Sequence, residues 1–227
     1  MSTANKDIRT TCYVLRRTNY GEADRILNLI TPEGRMTVIA KGVRKEKSKL
    51  AGNIEMFSLI DFVAHTGHSE FAVLTSAKML KFYNRIITDL SRMELAAFIL
   101  KKISVAAEHS DNSDYFKIVD QTLAAINDGY NLELIEAWFL LNFLKASGEQ
   151  INLYRDTDGE KLMEGTEYEW DFVENALAKK AGGRFGENEI KMMRLMVSSS
   201  LGTTLKVKGT EKMAGLILRV ARALNKL

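Results

Sequence analysis

The stretch Arg25-Ile26-Leu27-Asn28-Leu29-Ile30-Thr31-Pro32-Glu33-Gly34-Arg35-Met36-Thr37-Val38-Ile39-Ala40-Lys41 reads as a β-hairpin. Ile26, Leu27, Leu29 and Ile30 fill one arm and Met36, Val38 and Ile39 fill the other, while Pro32 and Gly34 punctuate the middle. Proline presets φ at the second position of a tight turn and glycine closes it, so Thr31-Pro32-Glu33-Gly34 is the turn. The hairpin leads into Lys41-Gly42-Val43-Arg44-Lys45-Glu46-Lys47-Ser48-Lys49, with five cations and one anion in nine residues. Cations on a loop leaving a small β-structure can neutralise phosphates. The competing reading is a solvated lysine-rich loop.

Outward from the hairpin, residues 11–17 (with Cys12, Tyr13, Val14 and Leu15), 57–66 and 70–76 have strand composition, with a turn at Gly67-His68. Five strands in a stretch of about 70 residues predict a small closed barrel. Beyond Phe82 the apolar period becomes helical. Helices are expected over residues 91–108, with Ser91 as N-cap and Glu94 as its capping-box partner, and over 113–127, 132–146, 187–200 and 210–227. Residues 168–181 read as weakly helical. The 132–146 segment is apolar on most faces (Leu134, Ile135, Trp138, Phe139, Leu140, Leu141, Phe143, Leu144) and is expected at the centre of its unit. A polar insertion around 148–168 carries a turn at Asp156-Thr157-Asp158-Gly159. The expected boundary lies between 83 and 84.

The composition, 46% apolar and 27% charged, is that of an ordinary globular protein. No apolar run reaches about 18 residues, so no membrane helix is expected, and the polar start carries no signal-peptide core. A cytoplasmic location is expected. With a single cysteine, Cys12, an internal disulfide and a cysteine-based zinc ribbon are excluded; in a strand it reads as a core residue. The net charge of +3 is unevenly spread. Residues 1–82 carry 13 Lys/Arg against 8 Asp/Glu, residues 108–175 carry 4 against 16, and residues 176–227 carry 11 against 3. A basic, acidic, basic order suggests polyanion contact at two places.

Several strings in fixed order carry a family resemblance: Val14-Leu15-Arg16-Arg17, Tyr20-Gly21-Glu22-Ala23-Asp24-Arg25, Leu29-Ile30-Thr31-Pro32-Glu33-Gly34, Ala40-Lys41-Gly42-Val43-Arg44, Lys47-Ser48-Lys49-Leu50-Ala51-Gly52 and Phe57-Ser58-Leu59. The chain resembles the N-terminal domain of the bacterial RecO (recombination protein O) family over residues 13–90, and the family more loosely beyond. The resemblance implies an α+β fold: an N-terminal OB-fold five-stranded β-barrel over 1–83, followed by an α-helical C-terminal domain over 84–227. It also implies a non-enzymatic DNA repair and recombination mediator. Such proteins bind single- and double-stranded DNA, anneal complementary strands and work with RecR, often with RecF. They help load RecA onto DNA coated by single-stranded DNA-binding protein, whose acidic C-terminal tail they contact. A nucleoid-associated place in the cytoplasm follows. Many members carry a cysteine zinc site in the helical domain. Residues 147–186 here contain neither cysteine nor histidine, so this is read as a zinc-less member with no cofactor.

An OB barrel binds single strands with a cationic groove and aromatic faces. The expected DNA-binding residues are Arg16, Arg17, Arg25, Arg35, Lys41, Arg44, Lys45, Lys47 and Lys49. Of the aromatics Tyr13, Tyr20, Phe57, Phe62 and Phe71, Tyr20 is expected to be exposed and the rest mostly core. Glu22 and Asp24 are expected to pair with nearby arginines. On the last helix Lys212, Arg219, Arg222 and Lys226 beside apolar residues suggest a site for a short acidic tail; a plain packed amphipathic helix is the alternative. His65 and His68 lack a third metal ligand, and Asp156, Asp158 and Glu160 lack the rest of a calcium-loop spacing. No catalytic triad order, phosphate-binding loop or dinucleotide motif occurs. The rival function is a protein-interaction adaptor that works through its helical domain.

Overall fold

The first fold-setting device is one long strand that changes partners half-way along the barrel. In the computed structural model, which describes residues 6–67, 71–110 and 112–226, β1 (Lys6–Tyr20) pairs β4 (Ser58–Thr66) through its first half and β2 (Asp24–Thr31) through its second. The changeover falls at Tyr13, and a bulge between Val14 and Arg16 turns the strand there. β3 (Gly34–Ala40) returns beside β2 across the Pro32 turn, in the register Arg25↔Ala40 to Thr31↔Gly34. β5 (Ala72–Phe82) pairs β4 antiparallel and touches β3 parallel at Val38↔Ala72 and Ile39↔Val73.

The ring β1-β2-β3-β5-β4 closes on itself. Its seam between β3 and β5 is only two residue pairs long, the partly open closure of an OB-type barrel. The expected strands are present within a residue or two, except that β1 begins earlier and ends later than read and β5 runs on to Phe82. The expected turn residue His68 and strand residue Glu70 lie outside the described residues.

Alternation places Cys12, Val14, Leu27, Leu29, Val38, Ala40, Ile60, Phe62, Ala64 and Leu74 inside the barrel. The connection from β3 to β4 closes one end. It drops Val43 and Ile54 into the core, and Asn53 Oδ1 in its short 3-10 turn accepts from the Met79 amide.

The chain divides into two compact units, Met1–Asn127 and Asp128–Leu227. The first contains the barrel with α1 (Asn84–Ile87), α2 (Leu90–Ala106) and α3 (Asp114–Asp128), the last residue of α3 excepted. Its helices are joined to the barrel by polar groups in an apolar setting. The Tyr13 hydroxyl donates to Asp120 Oδ1 at 2.6 Å and lies 3.1 Å from the Tyr83 hydroxyl. Phe116 packs on the Tyr13 ring. The N-cap of α2 is Asp89, whose carboxylate accepts from the Arg92 amide, and not Ser91. Asp89 takes the extended N-cap backbone and its carboxylate reaches the third amide of the helix, so the helix starts two residues before the Ser91–Glu94 pattern would have it.

The second unit is built on α4 (Leu132–Ala146), buried around most of its circumference as its sequence requires. α5 (Glu187–Ser198) and α7 (Glu211–Leu224) pack on it, with the single turn α6 (Leu201–Thr204) between them. Trp138 Nε1 donates to Ser199 O, and Asn142 Nδ2 donates to Met196 O. The segment expected to be weakly helical is instead a hairpin, β6 (Tyr168–Asp171) and β7 (Ala176–Lys179). Asn175 turns it at φ 50°, and the Asp171 carboxylate accepts from the Val173 and Glu174 amides.

Candidate nucleic-acid interface

The basic loop is fastened to the tip of the β1–β2 hairpin. The Arg44 amide donates to Ala23 O at 2.8 Å, and its guanidinium donates to Gly21 O at 3.2 Å. The Gly42 amide donates to Asp24 Oδ1 at 2.7 Å, with Gly42 at φ 63°. Asp24 therefore holds the loop backbone, where an arginine partner was expected. Val43, 2% exposed, anchors the loop in the barrel core while Lys41, Arg44, Lys45, Lys47 and Lys49 are exposed. Burying one valine contributes roughly 1.5 kcal/mol, enough to bias a short loop toward one path.

Around this anchor the structure gathers part of the expected set. Tyr20 is 53% exposed and sits opposite Asp24 at the hairpin tip. Arg25 lies opposite both Asn19, whose side-chain oxygen it contacts, and Ala40, the residue before the loop. Arg16 is exposed three pairs further along, opposite Asn28. Two members stand apart. Arg17 is tied to Glu55 at 2.8 Å. Arg35 sits opposite Ile30 beside the Pro32 turn, five residues up β3 from Ala40, about 17 Å away at strand rise.

Tyr13, Phe57 and Phe62 are core residues and Phe71 is half-buried. Tyr20 is thus the aromatic of that set offered to solvent.

Sequence reading missed the apolar floor beside these cations. Ile26, Ile39 and Val73 stand in register across β2, β3 and β5, each half-buried, on the face opposite the core row Leu27, Val38. The signal was available in the parity of Leu27-Leu29 and Val38-Ala40, which sends Ile26 and Ile39 outward. Ile26 also lies opposite Thr18, two residues from Tyr20. A cationic loop, an exposed tyrosine and a half-buried aliphatic row on an OB sheet suit a flexible polyanion whose bases can stack.

Cys12 is buried in the core, and burial pushes its thiol well up. His65 Nδ1 lies 2.7 Å from Asp7, and His68 is outside the described residues. In the second unit the Asp156 carboxylate accepts from the Asp158 and Glu160 amides and is 4% exposed. With that carboxylate turned onto its own loop and no thiolate present, the residues do not fit the family's zinc site.

On α7, Arg219 and Arg222 line a cleft of about 470 Å³ with Phe172, Leu218 and Gly215. The Arg219 guanidinium lies 5.6 Å over the Phe172 ring, and Arg222 makes a bidentate pair with Glu136 at 2.7 and 2.8 Å. Lys212 and Lys226 are exposed at opposite ends of the helix and are not part of the cleft.

The family model described as recombination protein O N terminal matches residues 1–83. The chain is 34% identical over 147 residues to the DNA repair protein RecO of Roseiflexus sp. (strain RS-1), covering 64% of this chain and 52% of that protein. Over residues 1–83 the chain carries a RecO-type N-terminal domain. It is 27% identical over 211 residues to the DNA repair protein RecO of Dehalococcoides mccartyi (strain CBDB1), covering 89% and 83%. With that of Alkaliphilus metalliredigens (strain QYMF) the identity is 35% over 144 residues, covering 62% and 58%. The matched part spans about half the length of the first of these RecO proteins and most of the second. Among the described residues, no helix is long and apolar enough to cross a membrane.

Proposed function

We propose that this protein is a non-enzymatic DNA repair and recombination mediator that binds single- and double-stranded DNA and anneals complementary strands. The observation that carries the reading is the loop at residues 41–49: its backbone is held at the β1–β2 tip while its lysines remain in solvent. Annealing needs two strands close together with their repulsion screened and their base edges free. Exposed lysines on a fastened loop screen phosphates as point charges and release counterions, without reading bases. Arg16 and Tyr20 on the outward face of the β1–β2 hairpin, and Arg25 near its tip, add to the loop's own cations, whereas Arg17, held by Glu55, and Arg35, at the far end of β3, contribute less. The family's partners follow as part of this reading: RecR, with RecF in some settings, and RecA loading onto DNA coated by single-stranded DNA-binding protein. The work would be done in the cytoplasm, at the nucleoid.

For the acidic tail of the single-stranded DNA-binding protein, the α7 cleft is the docking place we favour, with Arg219 and Arg222 as its cations and Lys212 and Lys226 as outlying charges. Gly215 leaves its floor open; a Cβ there would stand 3.3 Å from Glu133 Oε2. That same cleft supports the second reading, an adaptor that works through its helices.

The test is annealing of complementary oligonucleotides across a salt series. Replacing Lys41, Arg44, Lys45, Lys47 and Lys49 with alanine should abolish annealing and leave the circular dichroism unchanged. Unaltered DNA affinity in that variant refutes the DNA reading and favours the adaptor.

A further inference from the structure

The basic loop is tied to different strands at its two ends. Its start is held at the β1–β2 tip by the Gly42 and Arg44 bonds. Its end is held to β5 through Asn53, whose Nδ2 donates to Lys49 O at 3.1 Å and whose Oδ1 accepts from the Met79 amide at 3.1 Å. The lysines of the loop therefore have two flanks. One carries Arg16 and Tyr20, and the other is the last part of β5.

A bulge arms that second flank. The β4–β5 register slips between Leu59 and Ile60, so Lys78 stands opposite Asp61 and Lys81 opposite Leu59. Asp61 and Leu59 are two residues apart on β4 and share a face, so the two lysines share it as well. Without the extra residue, Leu80, positions 78 and 81 would face opposite ways. Leu80 and Phe82 are exposed on the same stretch, which gives bases apolar and aromatic surface beside the cations. Arg85 follows on α1 with its side chain exposed and in no ion pair among the described residues.

The acids here do not cancel these charges. Asp61 is held by Arg9 at 2.9 Å, and Glu55 by Arg17 at 2.8 Å. Asp89, the N-cap of α2, keeps its charge, yet residues 78–92 carry four cations against that one anion. Lys81 lies 4.7 Å over the Tyr83 ring, which fixes its stem while its head stays in solvent.

We infer that Lys78, Lys81 and Arg85, with Leu80 and Phe82, form a second track for a single DNA strand, on the far flank of the basic loop from Arg16 and Tyr20. This rests on the DNA reading and deepens it. Annealing needs two strands side by side, and a lysine-rich loop between two tracks screens both at once.

The test counts strands on the full chain. Native mass spectrometry at low salt, with an oligothymidylate of about 12 nucleotides, should show two bound per chain. The weaker event should follow salt with a log–log slope of about −2, for three phosphate contacts. Lys78→Ala with Lys81→Ala and Arg85→Ala should leave one oligonucleotide bound, its affinity within about twofold of the parent value, and slow annealing by about tenfold or more. Arg85→Glu alone should move binding and annealing the same way if the triple variant loses its fold.

A single oligonucleotide on the parent chain overturns the second track and leaves the DNA reading standing. Loss of the tighter event in the triple variant also overturns it, because the strip is then a continuation of the loop's own site. Two oligonucleotides on the triple variant overturn it too, and lost polyglutamate binding in that variant would assign the strip to an acidic protein segment. A parent chain that binds no oligonucleotide refutes the DNA reading itself.

Discussion

At the scale of single residues, Tyr13 carries more than its share of the first unit. It is 1% exposed, and its hydroxyl joins Asp120 of α3 and Tyr83 at the end of the barrel. Burial, the Asp120 carboxylate and Tyr83 all push its ionisation well above the ordinary tyrosine range, and burial does the same for Cys12. Both groups stay protonated in the fold and can ionise only on unfolding. Their contribution is therefore complete below the unfolded values of about 8.5 and 10 and is lost as pH rises beyond them. Each should remove about 1.4 kcal/mol per pH unit above its own unfolded value. Denaturant melts between pH 8 and 11 should show this fall, and Tyr13→Phe should lessen the slope above pH 10 while lowering stability at pH 7. Gly183 is a second critical residue. A Cβ there would lie 2.3 Å from the Tyr168 carbonyl oxygen, a backbone atom fixed by the Phe185 amide. Gly183→Ala should destabilise the full chain by about 1–3 kcal/mol in chemical denaturation.

At the scale of elements, the loop at residues 41–49 combines a fastened backbone with exposed lysines. Its anchors are Val43 and the bonds to Gly21, Ala23 and Asp24; its lysines bear the charge. The two functions should separate by mutation. Each lysine-to-phosphate contact removed should lower the slope of log affinity against log salt by about 0.7 for single strands. Asp24→Ala leaves every cation in place but releases the Gly42 amide. It should impair annealing with a smaller change in that slope, read in the same titration. Charge density made this loop legible from its residues alone. The β6–β7 hairpin was not legible in the same way. Ala176, Leu177 and Ala178 are helix-tolerant, and their strand state depends on Tyr168 meeting both Lys179 and Phe185. Local propensity is a weak prior that such distant pairing overrides.

For the molecule as a whole, compactness and sequence pattern divide the chain differently. The strand-to-helix change falls at Phe82–Asn84, where the family match also ends. The compact unit runs on to Asn127 because α3 supplies the acceptor and the ring that cover Tyr13. A fragment of residues 1–127 should unfold cooperatively, whereas residues 1–83 alone should bind hydrophobic dye and melt broadly. Residues 1–127 carry 18 Lys/Arg against 14 Asp/Glu, and the remainder 14 against 15, so the longer fragment should retain most of the low-salt DNA affinity. Full loss of affinity in that fragment would move the DNA site to the second unit.

By itself, the amino-acid sequence determined the hairpin at Pro32, the ring of alternating strands, the all-round apolar helix α4 and the density of charge after Ala40. All of these are written in spacing between near neighbours, where turn chemistry and hydrophobic period act. Only the tertiary structure decided which cations share a face. It bound Arg17 to Glu55, carried Arg35 to the far end of β3 and gave Asp24 to the Gly42 amide instead of an arginine. It also left residues 6–12 and 34–37 open at their edges. Those outcomes depend on strand register and on where one bent strand changes partners. They are set by pairing between residues distant along the chain, which no local pattern encodes.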